Sequence, residues 1–190
     1  MNFATATAAI ALYVSLPSTS LADISVYRPE TGHTYTVIDG LHSWQDGRTL
    51  AASMSGYMVT ITDATENQWV IDNVFVPYAR PRGTQMWLGA TDEITEGTWL
   101  WDSGEPFSYS NWAPGEPNNN TATSPPGGIG EDYASMWDLP TGTWNDYPSP
   151  FIYLPNPSAI WGSVVVETVP SPSALVLLGT AGFVVARRKR

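Results

Sequence analysis

GTWLWDSGEPFSYSNWAPGEPNN, residues 97–119, is the stretch on which the reading of this chain turns. Three Trp, a Phe and a Tyr alternate with three Gly and three Pro. The aromatics suit a core, while the turn formers stop any helix and leave room only for short strands. Beyond it, 115–130 has no apolar anchor until Ile129. Loops of that length are usually functional or disordered.

Upstream, the pattern changes. HTYTVID (33–39) reads as a first strand. SWQDGRTLAASM (43–54) places Trp44, Leu50, Ala51 and Met54 at helical spacing behind Ser43 as N-cap. YMVTIT (57–62) is strand-like, and DATENQWVIDNVF (63–75) opens with Asp63 and Glu66 in capping-box spacing, with Trp69, Val70 and Phe75 along one face. Downstream, MWLGA, TWLWD, YASMWD and SVVVE read as short strands between turns. Two early helices followed by short strands and long loops predict an α+β domain.

Charge narrows the function. All 18 acids lie between Asp23 and Glu167, against Arg28, Arg48, Arg80 and Arg82, so that segment carries −14. Such a surface repels nucleic acid and concentrates cations. With no Cys, any metal must be held by oxygen or by His33 and His42, which have no partner motif and read as structural or exposed.

The two ends read as addresses. Residues 1–22 hold an apolar run over 8–16 and a Ser20-Leu21-Ala22 cleavage pattern, an export signal. At the other end, thirteen uncharged residues (174–186) precede Arg187-Arg188-Lys189-Arg190. That core is shorter than the ~20 residues of a stable spanning helix, and its basic end should stay cytoplasmic. A plain tail anchor would look similar. The order of parts also resembles the PEP-CTERM sorting signal of Gram-negative and related bacteria, with Val169-Pro170-Ser171-Pro172 where that family has Pro-Glu-Pro. The expected division is a leader at 1–22, a domain at 23–168 and a sorting segment at 169–190. The last would sit in the membrane at least transiently and meet an exosortase-type processing enzyme. The expected location is the cell surface or exterior, with inner-membrane anchoring before processing.

From Gly40 to Glu167 the residues resemble the C-type lectin-like domain. Trp44 with Ala51, then Gly56 and Val59-Thr60-Ile61, resemble its first helix and following strand, and ENQWV its second helix. Met86-Trp87-Leu88-Gly89 is similar to its core strand. The opening stretch follows its Gly-x-Trp-x-Trp, Asn-Trp and Glu-Pro-Asn order; GIGEDYASMW and GTWND resemble its later segments. The resemblance implies an α+β fold with two helices, short antiparallel strands and a long ligand-binding loop region. It departs in lacking disulfides: Ala51, Tyr133, Ser149 and Val166 stand at the expected cysteine positions.

The resemblance also implies calcium. This ion takes about 6–8 oxygens from carboxylates, amides, carbonyls and water. The principal set would be Glu116, Asn118, Glu131, Asn145 and Asp146, leaving room for two sugar hydroxyls. Each hydroxyl can donate to a carboxylate and accept from an amide, which explains acid and amide side by side. Pro117 is cis in the family, and the Glu-Pro-Asn order goes with mannose-, fucose- or glucose-type hydroxyls. Asp92, Glu96, Asn119 and Asp132, with Glu131 shared, resemble an auxiliary calcium position.

Enzyme readings fare badly. No Cys nucleophile, Gly-x-Ser-x-Gly elbow, phosphate loop or His-metal motif is present. Acids abound, but nothing sets an acid against a nucleophile as glycoside hydrolysis needs. The expectation is a non-enzymatic, exported bacterial protein that binds carbohydrate or exopolysaccharide through calcium. The rival is a metal-independent interaction or matrix protein on the same scaffold.

Overall fold

The computed structural model describes residues 22–40, 42–81, 85–120, 130–137, 141–148 and 162–170. The expected leader and sorting segment lie outside these, apart from Ala22, Val169 and Pro170, and so does Ser149. Among the described residues no helix is long and apolar enough to cross a membrane.

The α+β expectation holds. Strands β1 (Ile24–Arg28) and β2 (His33–Val37) precede helix α1 (Trp44–Ser53), β3 (Tyr57–Met58) and helix α2 (Ala64–Val70). Then come β4 (Met86–Thr91), β5 (Leu100–Trp101), β6 (Tyr133–Met136), β7 (Trp144–Tyr147) and β8 (Val165–Thr168). The strand expected first is therefore the second, after the unforeseen β1. Among the described residues the pairings between these strands are antiparallel, in two four-stranded sheets ordered β1-β2-β8-β3 and β5-β4-β6-β7. The sheets are joined through backbone: Gly89 N–H donates to Val59 O at 2.9 Å and Trp87 N–H to Ser163 O at 3.0 Å.

Both N-caps form as read. Ser43 Oγ accepts from Asp46 N–H at 3.1 Å and Asp63 Oδ1 from Glu66 N–H at 2.8 Å, each satisfying an orphan donor of the first turn. The reciprocal half of the capping box does not form, because the Glu66 carboxylate turns to other partners. Nor does the helical signal end at 75: α2 runs on as a π-helical stretch, Ile71–Ala79, that contains Pro77. In α1, Trp44 and Ala51 are buried but Met54 is exposed. Met54 is the C-cap, outside the helical stripe, and the chain turns away at Ser55 with φ 59°.

The strand period of two explains how β8 serves two cores. Val164 and Val166 pack with Trp44, Met58, Trp87 and Tyr133 beneath α1, while Val165 packs with Tyr35, Val59, Phe75 and Leu88 beneath α2. Ala51, Tyr133 and Val166, at three of the four expected cysteine positions, are all buried in the first of these clusters. Apolar contact takes the place there of a covalent link.

Candidate functional site

Trp144 fixes the floor of the site. Its ring is fully buried and meets Trp101, Phe107, Tyr109 and Trp112 edge-on at 5.7–6.5 Å between centroids. Its indole N–H donates to Asn67 Oδ1 of α2 at 3.1 Å. Its backbone holds the preceding loop: Trp144 N–H donates to Asn111 O and Ala113 N–H to Trp144 O, both at 2.8 Å. The Glu116-Pro117-Asn118 turn leaves from this strap, and Asn145 and Asp146 follow Trp144 on β7. The Glu116–Pro117 bond is cis.

Asp146 is the hub. It is buried, and its two carboxylate oxygens accept from Asn118 N–H at 3.2 Å and Asn119 N–H at 2.8 Å. Asn145 Nδ2 donates to Asp146 O at 3.0 Å. Glu131, just before β6, is buried and accepts from Asn120 N–H at 2.8 Å. The loops bearing all five residues of the principal set are thus linked by direct bonds. The three carboxylates of the set, Glu116, Glu131 and Asp146, do not all come within 4.8 Å of one another, however. Among the described residues, the single trio of His or acid ligand atoms within 4.8 Å of one another is His33, Glu66 and Glu167.

Two oxygens bear on what the site fits. Glu116 Oε2 and Asn145 Oδ1 are buried without a hydrogen-bond partner. Buried acceptors left unpaired are costly, and a cation is the natural complement to several oxygens of this kind. In the auxiliary set, Asp92 and Asp132 are buried and joined by Asp92 N–H to Asp132 O at 3.2 Å. Asp92 Oδ2 accepts from Gly97 N–H at 2.8 Å and its Oδ1 is another unpartnered oxygen, while Glu96 is exposed. Asn119, read as part of this set, turns its side-chain oxygen to the Glu131 N–H instead, at 2.8 Å.

Burial and mutual repulsion push these acids one way. Burial, then the charges of Asp92, Glu96, Glu93 and Asp146, raise the Asp132 carboxyl from 3.8 to about 6. Glu116 is raised by burial and by Asp146, against the opposing pull of Asn118. Asp92 is raised by burial, with Asp146 adding to it and the Gly97 N–H opposing; Glu96 is raised by burial, then by Asp92 and Asp146.

The sign of the pH effect follows. A carboxyl raised in the folded chain binds its proton more tightly there than when unfolded, so stability falls as pH rises through the folded value. In chelator, the melting temperature is expected to fall between about pH 4 and pH 6, the window bounded by an ordinary carboxyl and the raised Asp132. Asp132→Asn should flatten that slope. A slope of opposite sign, or one unchanged in the variant, would contradict the crowding.

The His33 trio is what the sequence did not disclose. Glu66 Oε1 accepts from Arg28 Nη1 at 2.9 Å and from the Tyr35 hydroxyl at 2.8 Å. Its Oε2 accepts from the backbone N–H and the hydroxyl of Thr62, both at 2.9 Å. Glu167 Oε2 accepts from Thr60 N–H at 3.0 Å, and its Oε1 lies 2.6 Å from His33 Nδ1. Every one of these carboxylate oxygens already has a donor or an imidazole against it, so the trio reads as a brace between α2 and the sheet. An acid closing the Val run 164–166 is the one sequence signal that could have flagged it.

Comparison with known proteins agrees with this architecture. Residues 40–149 match the family model of the lectin C-type domain. A perlucin-like protein of Mytilus galloprovincialis is 35 % identical over 105 residues, which are 55 % of this chain and 61 % of that protein, under two thirds of its length. The cow C-type carbohydrate-recognition domain of CD23, solved in the presence of GlcNAc2Man3 oligosaccharide, superposes with a TM-score of 0.57 at 24 % identity, over 77 % of this chain and 94 % of that one. A calcium-independent type II antifreeze protein superposes with a TM-score of 0.57 at 13 % identity, over 84 % and 98 %. At such identities the structural likeness is one of fold, but the match over 40–149 covers more than half the chain. The chain belongs to the lectin C-type domain family.

Proposed function

We propose that this protein binds carbohydrate through a calcium ion held by Glu116, Asn118, Glu131, Asn145 and Asp146. The observation that carries the reading is the pair of buried, unpartnered oxygens on Glu116 and Asn145, beside an Asp146 charge that bears on four neighbouring acids. Calcium held there would supply a Lewis acid for sugar hydroxyls. Around it, Glu116 and Glu131 accept hydrogen bonds from those hydroxyls, and the amides of Asn118 and Asn145 donate to them. The Glu-Pro-Asn order supports a mannose-type preference. Asp92, Glu96, Asn119 and Asp132, with Glu131 shared, would make up a second set. Binding, not catalysis, is the proposed activity.

The same reading takes residues 1–22 as an export leader and 169–190 as a segment for an exosortase-type enzyme, placing the domain at the bacterial surface. Its support is the apolar run and cleavage pattern at one end and the Pro-Ser-Pro, apolar, basic order at the other.

The test uses the full chain. Calcium at ten times a dissociation constant of about 0.1–1 mM should add roughly 1–2 kcal/mol, or several degrees in melting temperature. Asn145→Ala or Glu116→Gln should abolish that shift and the retention on immobilised mannose, while melting in chelator stays near that of the unmodified chain. Undiminished sugar binding in both variants would sink the proposal. A metal-free interaction role is the reading to adopt if calcium moves nothing. One observation favours it: the Asp146 carboxylate ties the loops together by accepting directly from the Asn118 and Asn119 N–H groups.

A further inference from the structure

Asn119 occupies a position whose geometry is shaped from both sides. Its backbone sits at φ 47°, in the left-handed region that Asn and Gly tolerate best. Its N–H donates to Asp146 Oδ2 and its Oδ1 accepts from Glu131 N–H, both at 2.8 Å. One residue thereby joins two members of the principal set, one on β7 and one before β6. On the far side Gly130, at φ 60°, leaves the space: a Cβ there would run into the Asn119 carboxamide. An amide suits the place because it accepts the N–H without adding charge beside Asp146, Glu131 and Asp132.

We propose that Asn119 is a positioning residue and not a calcium ligand: its carboxamide clasps the Glu131 backbone, and with its N–H it sets Glu131 and Asp146 for the ion. The inference rests on the calcium reading above and deepens it. It also removes Asn119 from the auxiliary set, which is then left with Asp92, Glu96 and Asp132 beside the shared Glu131. A ligand's loss weakens or removes an ion without touching the calcium-free fold, whereas a clasp's loss also lowers melting in chelator.

The experiment compares the full chain with Asn119→Gly and Asn119→Asp. Gly accepts the positive φ and lacks the acceptor; Asp tolerates the same φ and keeps one. Calcium is titrated by calorimetry, bound ions are counted by native mass spectrometry, and melting is followed in chelator. Asn119→Gly is expected to bind as many ions as the unmodified chain, with the calcium dissociation constant raised about 10–100-fold. In chelator it should melt about 2–4 °C lower, the effect of one lost hydrogen bond in a chain of this size. Asn119→Asp keeps the acceptor but adds a charge beside Asp146 and Glu131, so it should return the calcium affinity while recovering only part of the melting temperature in chelator. A variant that loses one ion, with its remaining affinity and its melting in chelator unchanged, would make Asn119 a ligand and overturn the proposal. An unmodified chain that takes up no calcium would defeat the proposed function instead. The chelator arm still decides the clasp in that case: a lowered Asn119→Gly melting point sustains it, and an equal one overturns it.

Discussion

Glu66→Ala is expected to destabilise the chain by about 3–5 kcal/mol, because removing one partner of a buried ion pair strands the other. Arg28, the stranded partner, is 7 % exposed and sits 5.4 Å over the Trp69 ring, with little room to reach water. The same substitution leaves the Tyr35 hydroxyl and the Thr62 N–H without their acceptor. For a chain of this size the loss corresponds to roughly 10 °C or more in melting temperature. It should be the same with calcium as with chelator, since neither Glu66 nor Arg28 belongs to the proposed ion site. Urea denaturation of the full chain measures it. A loss below about 1 kcal/mol, the scale of an exposed pair, would mean that water reaches Arg28 and that the brace is ornamental.

The second large effect is expected at Trp144. Trp144→Ala should cost about 3–5 kcal/mol, the range for truncating a buried Trp or Phe, and should also weaken calcium binding. The two losses are linked because Trp144 is the neighbour of Asn145 and Asp146 and the backbone partner of Asn111 and Ala113. Removing its ring empties the centre of the aromatic cluster against which that strap lies. Trp144→Phe separates the contributions. It keeps much of the ring contact but leaves Asn67 Oδ1, on a residue 5 % exposed, without its donor. That unpaired acceptor costs about 1–3 kcal/mol, with calcium affinity largely kept. A Trp144→Ala protein that binds calcium with full affinity would disconnect the aromatic floor from the site.

What could be read from the residues divides by how far each interaction reaches along the chain. The N-caps at Ser43 and Asp63 were legible because each bond spans three residues. Glu66 stands at the right spacing for a capping box, yet its carboxylate reaches Arg28, 38 residues away, and no local pattern encodes that. β1 escaped notice because it is only five residues long and its alternating face is half-buried, with Tyr27 exposed. At the site, the resemblance supplied the set Glu116, Asn118, Glu131, Asn145 and Asp146, and the structure links the loops that bear them by direct hydrogen bonds; their role as ligands is the proposal tested above. Which atom of Asn119 meets which neighbour did not follow, because its left-handed backbone and the space above Gly130 exist only once the loops have met.

The pairing of β2 with β8 has a consequence in time. His33 and Glu167 are 134 positions apart, and Thr34 to Val37 bond to Thr168 to Val165. At a synthesis rate of about 5–20 residues per second, β2 emerges roughly 7–27 seconds before its partner. The β1–β2 hairpin can close at once, but β2 then presents an open edge carrying Tyr35 and Val37, which strand-to-strand association between nascent chains could exploit. Contacts of such long sequence separation also slow folding once the chain is complete. Among the described strands, the last to be made is thus the one that closes the edge left by the β1–β2 hairpin.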